Sequence, residues 1–198
     1  YGPALQETGQ RAFGYDIWTK YNTTEPVVEA RYEGELNSDM KAKIAELGKT
    51  DPKAAQELYR SVSYHVDHGN GLDCYKVGPT LGGGTTALMA GDTIIYPYCY
   101  ATQEILDNGP LRFTVKLVYN PLVVKGDSTI IETRIITLDA GSYCNKTVVS
   151  YTNLKETMPL AVGIVLHEPD GAIVADAANG YMTYVDPTDN AGGDNGKI

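Results

Sequence analysis

From Arg112 to Leu117 the chain alternates without a break, and Tyr119 keeps the same parity beyond Val118. Phe113, Val115, Leu117 and Tyr119 are apolar or aromatic, and Arg112, Thr114 and Lys116 between them are polar. A period of two belongs to a strand with one face on a core and the other in water. The stretch Thr129–Leu138, rich in isoleucine and threonine, continues the series and puts Glu132 and Arg134 on one side. Thr147–Asn153, Leu160–His167 and a short run of Val28, Ala30 and Tyr32 against Glu29, Arg31 and Glu33 read the same way. Turn signals separate these runs at Asn108-Gly109-Pro110, Asn120-Pro121, Lys125-Gly126-Asp127, Asp139-Ala140-Gly141 and Pro169-Asp170-Gly171. Gly82-Gly83-Gly84 lacks the lysine of a phosphate-binding loop and predicts a turn or bulge. Strands at this spacing, without helices between them, predict an all-β chain folded as a large antiparallel β-sandwich.

One insertion, residues 38–62, breaks the strand pattern. Ser38 opens a helix with Met40, Ile44 and Leu47 on one stripe, stopped at Gly48. Asp51-Pro52 opens a second, with Ala55, Leu58 and Val62 aligned, because proline is tolerated at the first helical position. The 198 residues suffice for a single domain, 1–198, with a substantial core. At the far end, Asp189–Gly196 reads as a loop and Lys197-Ile198 as the first step of another strand. The expectation is a sandwich incomplete at its C-terminal side, completed by a further segment of its own polypeptide.

Composition narrows the partners. A net charge of −9 argues against binding a phosphate backbone, which needs a basic footprint. No apolar run approaches the ~20 residues that span a bilayer, and no basic-then-apolar leader stands at Tyr1. Fifteen tyrosines accompany two phenylalanines and one tryptophan. Tyrosine joins an apolar ring to a hydrogen-bonding tip, which suits sugars, although half-buried strand positions use it equally. The three cysteines, Cys74, Cys99 and Cys144, form no CxxC and so no structural zinc motif. Asn22-Thr23-Thr24 and Asn145-Lys146-Thr147 fit the glycosylation triplet, a pattern too short to carry an argument.

Reactive side chains concentrate in the segment Ser63–Lys76, which holds His65, Asp67, His68, Asp73, Cys74, Tyr75 and Lys76 around Gly69 and Gly71. Two chemistries fit. A metal site would use His65, Asp67, His68 and Asp73, since histidine and carboxylate suit a divalent ion. An acid/base site would use His65, His68, Tyr75 and Asp73, with Lys76, Arg112 or Arg134 neutralising a substrate carboxylate. The second set suits β-elimination beside a uronic acid. Against both stands a plain alternative, in which Asp67 and Asp73 cap turns around the glycines and the histidines merely hydrogen-bond them. Glu104, Asp107, Glu132 and Glu168 could supply a carboxylate pair for glycoside hydrolysis, which spatial separation would decide. Trp18 could stack on a sugar ring or sit in the core, and His167-Glu168 reads as a solvated strand end.

Several stretches carry a resemblance: Tyr1–Leu5, His68–Gly82, Leu106–Arg112 and Ala175–Tyr181. Across nearly the whole chain they resemble a bacterial family of domains of unknown function, exported and encoded among polysaccharide-degrading enzymes, whose members continue beyond a position like Ile198. The resemblance implies a β-sandwich, an extracellular or periplasmic location and a carbohydrate context. It brings no catalytic residues with it. The combined expectation is a carbohydrate-active protein acting on an acidic, uronate-containing oligosaccharide or polysaccharide, as a lyase or related enzyme. Its catalytic set would be His65, His68, Tyr75 and Asp73, its substrate-binding set Lys76, Arg112, Trp18 and Arg134, and it would use no cofactor. The alternatives are a non-catalytic glycan-binding module and a metal-dependent hydrolase.

Overall fold

The structure, a computed structural model, describes residues 2–9, 11–21, 27–168, 171–188 and 195–198. The Asn22 triplet and most of the turn read at Pro169–Gly171 and of the loop read at Asp189–Gly196 lie outside the described residues. In chain order come α1 (Pro3–Thr8), β1 (Trp18–Lys20), α2 (Val27–Leu36), α3 (Ser38–Thr50) and α4 (Pro52–Val62). Then follow β2 (Gly71–Asp73), β3 (Thr85–Ala90), β4 (Thr93–Ile95), β5 (Tyr100–Asn108), β6 (Arg112–Tyr119) and β7 (Leu122–Val124). The last elements are β8 (Asp127–Asp139), β9 (Lys146–Thr152), β10 (Leu160–Gly163), β11 (Ala172–Asp176) and β12 (Tyr181–Val185). The strands pair antiparallel in several sheets, so the all-β class and the antiparallel arrangement are as the alternation predicts. The chain divides into two compact units, residues 1–15 with 77–165 and residues 16–76 with 166–198.

The first unit holds two sheets. In one, β5 pairs β6, β6 pairs β8, and β8 also pairs β7 and β9; in the other, β3 pairs β10 and β4. Their faces meet over a core of Leu88 from β3, Leu122 and Val124 from β7 and Ile130 from β8, with Ile95, Tyr151, Leu154 and Met158 packed around it. This is the sandwich. The regular β6–β8 register sets Leu117 opposite Arg134 and Val115 opposite Ile136, so even-numbered β8 residues and odd-numbered β6 residues share the inner face. Glu132 and Arg134 therefore both turn inward, as their spacing predicts, and both side chains are fully buried. Arg134 Nε donates to Glu132 Oε1 at 2.5 Å, Nη1 to Thr85 Oγ1 and Nη2 to the Thr86 carbonyl at 3.0 Å. Its guanidinium also lies 5.0 Å from the Tyr119 ring centre.

The second unit carries α2, α3 and α4. The alternation at Val28–Glu33 predicts a strand, but the chain there is helical, in α2. Six residues of alternation are also compatible with a helix, and no glycine or proline interrupts the stretch before Gly34. The half-buried positions Val28, Arg31 and Glu35 follow helical spacing. The helical insertion thus begins at Val27 rather than 38, and a separate short helix, α1, precedes it. The cap of α3 also moves by one residue: the Asn37 side chain accepts from the Met40 amide at 2.9 Å, so Asn37 takes the role expected of Ser38. Asp51 caps α4 through the Ala54 amide at 3.0 Å, with Pro52 in its first turn. Among the described residues no helix is long and apolar enough to cross a membrane.

Candidate functional site

The second unit brings the Ser63–Lys76 segment against β1 and the residues around Thr188. Gly71 makes that approach possible. Its φ is +98°, and a Cβ on it would stand 1.9 Å from the Thr19 carbonyl oxygen. Only glycine allows β2 to run this close to β1, in the register Lys20 to Gly71. The pairing delivers Tyr21, one residue beyond β1, to Asp67: the tyrosine hydroxyl donates to Asp67 Oδ2 at 2.6 Å. Asp67 Oδ1 meanwhile accepts from the Gly69 and Gly71 amides at 2.7 and 3.3 Å. The Tyr21 hydrogen bond, helped by these amides, holds the Asp67 carboxyl below the usual carboxylate range. Asp67 thus closes the glycine turn and fixes a tyrosine at the same time.

The two histidines of this segment are committed to the backbone. His65 Nδ1 lies 3.1 Å from the Asp73 carbonyl oxygen and His68 Nε2 lies 3.0 Å from the Ser63 carbonyl oxygen. A carbonyl can only accept, so each of these nitrogens carries its hydrogen. The His65 ring also packs on Tyr64, at 4.4 Å between centres, and Tyr64 stacks on Trp18 at 5.2 Å with Tyr32 against both. Trp18 is therefore part of a ring cluster that seats α2 and the turn, and burial pushes the Tyr64 hydroxyl up to about 12. Asp73 is buried, and its Oδ1 accepts from the Tyr75 amide at 3.3 Å. Asp67 closes the glycine turn, while the two histidines meet main-chain carbonyls rather than aspartate side chains at hydrogen-bond distance.

Tyr75 is buried and lies edge-on to His167, with ring centres 5.5 Å apart. Burial first, then the charge of Asp186, raises its hydroxyl well above the ordinary tyrosine value. His167, read as a solvated strand end, is tied at both nitrogens: Nδ1 to Asp186 Oδ2 at 2.6 Å and Nε2 to the Lys76 carbonyl oxygen at 2.8 Å. Asp186 is itself buried and exchanges backbone hydrogen bonds with Ile198. Lys76 contributes that carbonyl while its side chain stays exposed. The alternation along Leu72–Lys76 sends Asp73 and Tyr75 to one side and Leu72 and Cys74 to the other.

That other side opens on a cleft of about 170 Å³. Leu72 and Cys74 form its apolar part, and Tyr21, Asp67, Thr188, Asn195 and Lys197 supply hydroxyl, carboxylate, amide and ammonium groups. Of the sequence-predicted residues His65, His68, Tyr75, Asp73, Lys76 and Trp18, none lines it, although all belong to the same unit. Asp67, weighed as a metal ligand and as a turn cap, does. Tyr21, Thr188, Asn195 and Lys197 were missed because no local motif marks them; a tyrosine just after a strand is the most the sequence offers. Arg112 and Arg134 belong to the first unit. Arg112 is exposed and holds Asp139 in a bidentate pair at 2.5 and 3.1 Å. Arg134 is fully buried, with one hydrogen bond from each of its three nitrogens, and is out of reach of a solute. Among the described residues no three histidine, cysteine, aspartate or glutamate side chains converge as a metal-holding group.

No solved structure matches the chain. The Uncharacterized protein P7 of Formosa agariphila is 29% identical over 121 residues, which is 61% of this chain and 30% of that protein. The chain thus aligns with less than a third of its relative's length. Residues 1–198 match in full the family described as Domain of unknown function (DUF4861), and the chain belongs to that family.

Proposed function

We propose that this chain recognises a uronate-containing glycan within an extracellular or periplasmic polysaccharide-degrading system, and that its second unit binds one sugar ring in the cleft between Asp67 and Lys197. The cleft carries this reading. It gathers a carboxylate and hydroxyls that can pair with sugar diols, an amide, and an ammonium suited to a uronate carboxylate, beside a small apolar wall. At about 170 Å³ it lies below the ~300–1,000 Å³ of drug-sized pockets, so the ligand is one ring or a chain end rather than a long stretch of polymer. The resemblance to exported proteins encoded beside polysaccharide-degrading enzymes supports the same ligand class. Binding is favoured over catalysis because none of His65, His68, Tyr75 and Asp73 lines the cleft.

Calorimetry with glucuronate- and galacturonate-containing oligosaccharides tests this. Saturable binding should weaken by roughly 10-fold or more in Lys197→Ala, the scale of losing one charge-assisted hydrogen bond, and neutral oligosaccharides should bind less tightly than acidic ones. No heat with any acidic glycan, or equal affinity in Lys197→Ala and Asp67→Asn, overturns it. A catalytic reading rests on Tyr75, held against the His167–Asp186 pair. Formation of an unsaturated uronate product, lost in Tyr75→Phe, would establish a lyase instead.

A further inference from the structure

The inner face of the β5–β6–β8–β9 sheet is covered over only part of its length. Cross-strand rows show where the cover stops. Leu122 opposite Ile130 and Leu117 opposite Arg134 are buried. The next row, Val115 opposite Ile136, is half-buried, with its β5 neighbour Ile105 56% exposed. In the row after it, Phe113 and Leu138 face each other at 40% and 45% exposed. These five side chains form one apolar surface continuous with the sheet–sheet interface, and β5, nine residues long, stands at the edge of its sheet beside them. Contiguous apolar surface at an open strand edge marks a docking face.

We propose that this bare end takes a further β-layer with an apolar inner side, supplied by polypeptide outside residues 1–198 of the same gene product. Two observations choose that occupant. The surface continues, row for row, an interface already made by a β-sheet, so a second sheet layer fits its spacing and alternation. The relative from Formosa agariphila has 70% of its length outside the aligned stretch, more than enough chain to form such a layer. A second copy fits less well, because its acidic β5, with Glu104 and Asp107, would oppose the same charges on this chain, whose net charge is −9.

Hydrogen exchange on the complete gene product reads the cover directly. The β6 and β8 amides flanking Phe113 and Leu138 should exchange orders of magnitude more slowly than expected beneath a bare face. In the same product Phe113→Lys should lower the melting midpoint by on the order of 10 °C, while Val148→Lys, on the opposite and exposed face of β9, should leave it in place. Fast exchange at those amides together with an unaltered midpoint in Phe113→Lys overturns the proposal, as does a gene product that ends at Ile198. A dimer in sedimentation that Leu138→Lys dissociates would assign the face to a second copy and also overturn it.

Discussion

Two arginines on neighbouring strands of one sheet have opposite fates. Arg134 on β8 and Arg112 on β6 each pair with a carboxylate, Glu132 and Asp139 respectively, at the same 2.5 Å. The first pair is fully buried, and the side chains of the second are 55% and 52% exposed. Nothing in the residue types distinguishes them. Strand parity does: Arg134 shares the inner face with Leu117, whereas Arg112 and its cross-strand partner Asp139 point outward. One consequence is that two residues chosen for the same task, holding a substrate carboxylate, can be separated by the register alone.

The comparison breaks most visibly at the buried pair. Truncating one partner of a buried ion pair leaves an uncompensated charge and costs about 3–5 kcal/mol. Glu132→Ala should therefore lower the unfolding free energy by about that much in urea denaturation, leaving Arg134 with Thr85 and Thr86 as its polar partners. Replacing both members with apolar residues, as in Glu132→Leu with Arg134→Met, should recover most of the loss. A fall below about 1 kcal/mol in Glu132→Ala would place this pair in the energetic class of surface bridges.

Register explains how much of the molecule was legible. β6, β8 and β9 were readable because exposure alternates along much of each strand, so polarity follows position over most of Arg112–Tyr119 and Thr129–Leu138. The strand read at Val28–Glu33 failed because six residues of alternation do not distinguish a period of 2 from one of 3.6. The site was legible only as a neighbourhood. Ser63–Lys76 does fold into a polar turn beside a cleft, but the cleft's other wall comes from Thr188, Asn195 and Lys197, more than a hundred residues away in sequence. Which histidine nitrogen meets a carbonyl, as at Ser63 and Asp73, depends on backbone path, which local sequence does not encode.

Alkaline titration sharpens the contrast at the buried end. Tyr119 lies over Arg134, and its hydroxyl is pushed from the ordinary 10.0 up to about 12, mainly by burial, with Glu132 adding to it and Arg134 opposing. A tyrosine whose folded value is raised stabilises the fold fully below pH 10, and that contribution is lost as pH rises toward 12. Absorbance near 295 nm should show a late fraction of tyrosine that ionises only as the chain unfolds. Tyr119→Phe should remove part of that fraction and shift the alkaline midpoint upward. Ionisation of Tyr119 at pH 10 without unfolding would mean the inner face admits water.

The smallest effect belongs to Arg112. Its bond to Asp139 raises the guanidinium and holds the carboxyl below the usual range, so whatever the pair contributes is present above the ordinary aspartate value of 3.8 and is lost as pH falls through the lower folded one. Both groups face water, where Coulomb attraction is screened and two long side chains must be ordered to use it. Arg112→Ala should leave the melting midpoint unchanged at neutral pH, in low or high salt. It should also leave acidic-glycan affinity unchanged, because the cleft of the second unit holds its own cation in Lys197. If affinity instead falls as far in Arg112→Ala as in Lys197→Ala, the outer face of this sheet, rather than the glycine-turn cleft, is where the uronate binds.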